Sequence, residues 1–299
     1  MVGILMGLYF VSLVAGVSSS SVYWVWVALE VGLLVVTYLS LMANSRVGSS
    51  FEYFLVQAVG SLVVMSGLLA ELWGVALAGA TIKMGLFPFM PWVYRVMWGM
   101  NKGVGVGLVL GLQKLIPLAL MLEWGWLIQE GFGLFLGVLV LSAVLGGVGM
   151  LFGGGWVWVL TSSSVFHTSW TILMSVAGEV TVFTYFLGYM LVLASLVVVV
   201  GGSERNGGSS LVEVMVVLAS LPPMVGFGLK LYTFVSLVEG VSVVVMVLAV
   251  VSCVSLVGYL RGVNFTQMTS VLSGASAKHP TLPPTLSWVL GSVLMVAMV

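Results

Sequence analysis

The stretch from Gly3 to Ser18 carries no charged side chain, and the next, from Ser21 to Ala43, carries one, Glu30. A helix crosses the roughly 30 Å hydrocarbon layer of a bilayer in about 20 residues, each adding about 1.5 Å. Runs of that kind recur along the whole chain, separated by short polar or glycine-rich punctuation. Composition agrees: 61% of the 299 residues are hydrophobic and 6% are charged, against about a quarter charged in a soluble domain. The chain reads as an integral membrane protein, and its apolar N-terminus, without a basic flank or a small-residue cleavage site, as a first membrane helix that stays.

Cutting at the punctuation predicts about eleven spans, roughly 3–18, 21–43, 51–70, 73–90, 103–122, 131–152, 157–176, 180–200, 209–233, 240–260 and 284–299. The connections are short, so the expected fold class is an all-α polytopic membrane protein forming a single transmembrane domain over 1–299. Arg261 to Pro283 reads as the longest surface loop. Arg46, Arg95, Lys102, Arg205, Arg261 and Lys278 fall in loops on one side, while Glu71, Glu123, Glu130, Glu179 and Glu239 fall on the other. The positive-inside rule then predicts an inside N-terminus and, after eleven crossings, an outside C-terminus.

Four ionisable residues remain well inside predicted spans: Glu30, Lys83, Lys114 and Lys230. Each ionised group costs roughly 2.5–3.5 kcal/mol on insertion scales, so the fold must offset them by pairing or hydration. A buried group changes protonation state when a neighbouring charge moves, which is the property a proton path requires. Fixing helix packing by ion pairs is the competing reading.

Prolines sharpen the pattern. Pro88 and Pro91 follow Lys83, and Pro222 and Pro223 precede Lys230. Proline interrupts helices, so two spans each combine a buried lysine with a break, in opposite order along the chain. Interrupted segments in corresponding positions of two halves are a sign of inverted repeats in transporters. The expectation is an antiporter-like bundle with two broken helices.

Five motifs occur in order: EYFLVQAVGS (Glu52–Ser61), IKMGLFPFMPW (Ile82–Trp92), LQKLIP (Leu112–Pro117), SSSVFHTSW (Ser162–Trp170) and LPPMVGFGLK (Leu221–Lys230), with VALEVGL around Glu30 before them. Together they resemble chain 2 of mitochondrial NADH:ubiquinone oxidoreductase, an antiporter-like subunit of respiratory complex I. The resemblance covers roughly Trp24 to Thr233. It implies a proton-translocating subunit in which Glu30 pairs with Lys83, Lys114 is central to the path and Lys230 lies nearest the exit. His167 aligns with a polar position between the lysines; a lone histidine also reads as a satisfied packing residue.

The resemblance further implies membrane lipid and other complex I membrane subunits, including neighbouring antiporter-like ones, as partners, with no nucleic acid. It implies the mitochondrial inner membrane, with the N-terminus in the matrix and the C-terminus in the intermembrane space. One cysteine and two histidines offer no metal cluster, and there is no dinucleotide-binding glycine motif after a strand. NADH, FMN, iron-sulfur clusters and ubiquinone are therefore expected on other subunits, with no cofactor on this chain. Met90, Pro91 and Tyr94 depart from the family pattern after the first break. Two other readings stand beside this one, a stand-alone cation/proton antiporter subunit and a membrane scaffold.

Overall fold

The computed structural model describes residues 2–123, 132–153, 155–176, 178–202, 207–221, 224–238 and 242–272. Every regular element among them is helical. The chain divides into two compact units, Met1–Leu139 and Val140–Val299. The predicted span 284–299, Lys278, Pro222, Pro223 and Arg205 lie outside the described residues.

The first unit holds α1 (Val2–Ser18), α2 (Val22–Met42), α3 (Val47–Leu69), α4 (Trp73–Met84), α5 (Pro91–Gly99), the single turn α6 (Lys102–Val104) and α7 (Leu115–Glu123). The long helix α8 (Phe132–Phe152) runs from the end of this unit into the second. The second unit continues with α9 (Trp156–Leu173), α10 (Glu179–Gly202), α11 (Gly207–Leu218), α12 (Val225–Val238) and α13 (Ser242–Leu272). Six helical stretches among the described residues are long and apolar enough to cross a membrane, and Val2–Ser18 is a shorter apolar helix. Apolar side chains such as Ile4, Val11, Leu134 and Val198 remain exposed, as expected of helices that are hydrophobic all round and face lipid.

Of the expected surface loop Arg261–Pro283, the first part is corrected by α13, which stays helical to Leu272, while 273–283 lie outside the described residues. The residues from Gly262 to Leu272, GVNFTQMTSVL, contain no proline and one glycine. Nothing there breaks the backbone ladder, and polarity alone does not end a helix.

The first interruption arises differently from a proline kink. Helix α4 ends at Met84 because Gly85 adopts a left-handed conformation, φ 69°. Gly85 N–H donates to Ile82 O at 3.2 Å and Leu86 N–H to Thr81 O at 3.1 Å, the paired bonds of a Schellman end. Pro88, after a cis peptide bond, lies in the connection, and Pro91 opens α5, where its missing N–H costs nothing. Glycine ends the first helix, and Pro91 starts the second.

Helices α3 and α4 pack closely because small residues face each other. A Cβ on Gly79 would stand 2.6 Å from Val64 N, and one on Gly60 would stand 2.6 Å from Lys83 Cγ. The glycine on α3 thus makes the space that Lys83 occupies.

Candidate functional site

In the first unit, Lys83 sits in the last turn of α4 and is 4% exposed. A cation there meets the negative end of the helix dipole. Its ammonium donates to Gln57 O at 3.0 Å, and Gln57 Nε2 donates to Lys83 O at 3.0 Å. Each side chain therefore bonds the other residue's main chain. The neighbouring carbonyl at the helix end, Ile82 O, also accepts from Trp92 Nε1 at 3.0 Å. Trp92 packs beside Tyr53, with ring centroids 6.3 Å apart. Lys83 O at the helix end is thus met by a side chain from α3, and Ile82 O, which already accepts from Gly85 N–H, takes a second donor from α5.

Glu30 is half-buried on α2 and accepts a hydrogen bond from the Ser61 hydroxyl. Ser61 and Gln57 are one turn apart on α3, on one face. The structure brings Glu30 and Lys83 to this same face, each with its own partner there. A carboxylate–cation contact forms nearer the helix end, where Arg95 Nε lies 2.6 Å from Glu52 Oε1.

Lys114 is 5% exposed and closes a 3-10 turn, Leu112–Lys114, which follows a π-helical turn at Gly105–Val109. Leu110 N–H reaches back five residues to Gly105 O at 3.0 Å. The stretch predicted as one regular span is therefore irregular immediately before its lysine, a feature found often at functional positions. Beside it, Gln113 Oε1 accepts from Tyr9 OH at 3.0 Å.

In the second unit, α9 is buried at every position from Val159 to Leu173 although it contains eight serine, threonine and histidine residues in that range, namely Thr161, Ser162, Ser163, Ser164, His167, Thr168, Ser169 and Thr171. Several hydroxyls bond back one turn: Thr161 to Val157 O and Thr171 to His167 O, each at 2.7 Å, and Ser169 to Val165 O at 3.0 Å. Such bonds let a polar helix be buried. His167 Nδ1 lies 2.6 Å from Tyr185 OH and Nε2 lies 3.4 Å from Tyr259 OH, which also bonds Ser163. The imidazole stacks on Tyr189 at 4.7 Å. A cavity of about 20 Å³ borders His167, Tyr185, Tyr189, Ser220, Gly226 and Leu229.

Lys230 is 5% exposed on α12, with its ammonium 5.6 Å from the centre of the Phe166 ring. The chain leaves α11 through Ser220, at φ 59°, and α12 begins at Val225. The prolines assigned to this break lie outside the described residues.

Sequence reasoning did not single out Gln57, Ser61, Tyr9, Gln113, Trp92, Tyr185 or Tyr259. Gln57 and Ser61 carried a signal, since they lie one turn apart within an apolar helix. Tyr185 and Tyr259 carried none, because tyrosine is common at membrane boundaries.

An all-helical chain with long apolar helices and buried lysines beside helix interruptions defines a class, the polytopic membrane proteins. Relatives narrow it. No protein-family model matches the chain. NADH-ubiquinone oxidoreductase chain 2 of Patiria pectinifera is 30% identical over 281 residues, spanning 81% of this chain and 77% of that one. The same-named chain of Artemia franciscana is 27% identical over 295 residues, spanning 93% and 94%. The chain belongs to the NADH-ubiquinone oxidoreductase chain 2 family. Its fold is shared with a chain of respiratory complex I from Thermus thermophilus, with TM-score 0.73 and 20% identity, covering 98% of this chain and 76% of that one. It is also shared with a chain of the Mrp complex from Dietzia sp., with TM-score 0.76 and 18% identity; 93% of this chain is covered but 61% of the other.

Proposed function

We infer that this chain is a proton-translocating membrane subunit of respiratory complex I, coupling electron transfer from NADH to ubiquinone on other subunits to proton movement through Glu30, Lys83, Lys114, His167 and Lys230. The observation that carries this reading is the burial of three lysines, each 4–5% exposed, within or beside irregular or interrupted helix. An ammonium in such a place is costly even when partnered, and a scaffold would be served by apolar packing at lower cost. A group that can be charged or neutral in the same site can instead receive and release a proton.

The chain would lie in the mitochondrial inner membrane with its N-terminus toward the matrix and its C-terminus toward the intermembrane space. It would assemble with neighbouring antiporter-like subunits and carry no cofactor itself. NADH, FMN, iron-sulfur clusters and ubiquinone would be handled elsewhere in the complex. Family membership favours this reading over a stand-alone cation/proton antiporter subunit, which the fold shared with the Mrp chain would equally allow.

Purification from native membranes separates the two: NADH-oxidising partners are expected to travel with the chain, and their absence would favour the antiporter. Lys114→Ala is expected to abolish or strongly reduce proton translocation in an assembled complex. Unchanged translocation in that variant would sink the proton-path reading.

A further inference from the structure

We propose that Gln57 is the positioning residue of Lys83, holding the lysine at the end of α4 on the same α3 face that carries Ser61 and, through it, Glu30. This rests on Lys83 acting in proton transfer.

The contact is reciprocal, and its chemistry fixes the orientation of the amide. Lys83 O can only accept, so the Gln57 atom 3.0 Å away must be the NH2 group. In the other direction, Gln57 O lies within α3 and has a second lone pair free of the helix ladder, and this pair takes the Lys83 ammonium at 3.0 Å. Both residues are buried, Gln57 at 1% and Lys83 at 4% exposure. Gly60, three residues along α3, leaves the space through which the lysine stem passes.

The remaining amide atom, Gln57 Oε1, is buried with no hydrogen-bond partner. It is a spare acceptor on the residue that already receives the ammonium. Ser61 stands one turn further along and binds the Glu30 carboxylate. A displacement of charge at Glu30 is thereby felt on the helix face to which Lys83 is tied at two points. Tyr53, one turn before Gln57, extends the face, and Trp92 fixes the adjacent carbonyl of the break. Leucine at position 57 would fill similar space, but it would leave Lys83 O without its side-chain donor and remove the spare acceptor.

The test uses the whole assembled complex in sealed vesicles, with proton translocation normalised to NADH oxidised. It compares the unaltered chain, Lys83→Ala, Gln57→Leu and Gln57→Glu. Other titratable groups on elements packed against this site, Glu30 on α2, Glu52 and Tyr53 on α3, Arg95 on α5 and Lys114 before α7, stay the same throughout. Gln57→Leu is expected to lower translocation roughly tenfold, the factor that matches the loss of one buried hydrogen bond. Gln57→Glu is expected to approach the unaltered chain at acidic pH, where a protonated carboxyl can donate to Lys83 O. It should fall away as pH rises and the ionised carboxylate both repels that carbonyl and traps the ammonium.

A normal Gln57→Leu beside an impaired Lys83→Ala overturns the proposal alone. A silent Lys83→Ala overturns the proton role of Lys83 and this proposal with it. Should Gln57→Leu fail to assemble, the pH course of Gln57→Glu decides, and a course parallel to that of the unaltered chain overturns the proposal.

Discussion

The two units hold a buried lysine in different ways. In the first, the Lys83 ammonium donates to a main-chain carbonyl while Gln57 returns a bond to the lysine's own carbonyl. In the second, the Lys230 ammonium lies over the Phe166 ring, and the polar network centres on His167 between two tyrosine hydroxyls. A hydrogen bond to a rigid helix fixes a cation in direction. A ring face attracts it through the quadrupole with little directional demand, for about 2 kcal/mol or more when desolvated. The first arrangement therefore suits a lysine that must keep its place, and the second a lysine whose head group can shift.

Lys230→Met breaks the comparison most severely. Translocation in the assembled complex should fall below measurement, while thermal stability holds or rises, because the substitution removes an insertion cost of roughly 2.5–3.5 kcal/mol. A loss of stability together with activity would mean the lysine is a packing device. Gly60→Val comes next. Its Cβ would lie 2.6 Å from Lys83 Cγ, and overpacking of this kind costs about 1–3 kcal/mol. Thermal unfolding of the purified complex should register the change, and an unaltered midpoint would contradict the close packing of α3 on α4.

Tyr185→Phe sharpens the second unit. It removes a hydrogen bond of 2.6 Å to His167 Nδ1, with an expected loss of about 0.5–1.5 kcal/mol for one intramolecular hydrogen bond. Reduced translocation without a change in the first unit's response to Lys83→Ala is the expected result; a fully active variant would place His167 among packing residues. Arg95→Gln should do least. The pair with Glu52 is 2.6 Å long, but its side chains are 67% and 30% exposed, and such pairs contribute about 1 kcal/mol or less. A clear loss of activity in a translocation assay would show that the pair does more than brace α5 against α3.

The three buried lysines were legible because charge is so rare in this chain. A lysine in an apolar run, such as Lys83 in GATIKMGLF, stands out against a composition with 6% charged residues. Neutral polar residues do not stand out in this way. Gln57 and the tyrosines around His167 became visible only once their partners, 26 and 18 residues away for the closest bonds, were brought into contact. The break after Lys83 was legible in place but not in cause: prolines drew attention to it, while the helix is ended by Gly85.

The irregular turns before Lys114 were legible only as a weakness of the helix. GVGLVLGLQK carries three glycines in ten residues, which destabilise a helix interior, but composition does not say that π and 3-10 turns replace the regular ladder there. Likewise, the proline-containing GASAKHPTLPP reads as a loop, but it does not say where the preceding helix stops, and α13 continues to Leu272.

The sequence by itself determined the membrane setting, the helical class and the identity of the buried cations. Each follows from the transfer cost of single residues and needs no knowledge of their neighbours. Only the tertiary structure decided which polar groups meet those cations: Gln57 for Lys83, the Phe166 ring for Lys230, and Tyr185 and Tyr259 for His167. Hydrogen bonds and ring contacts act over a few ångströms between residues distant in sequence, so their pairing is set by how the helices pack.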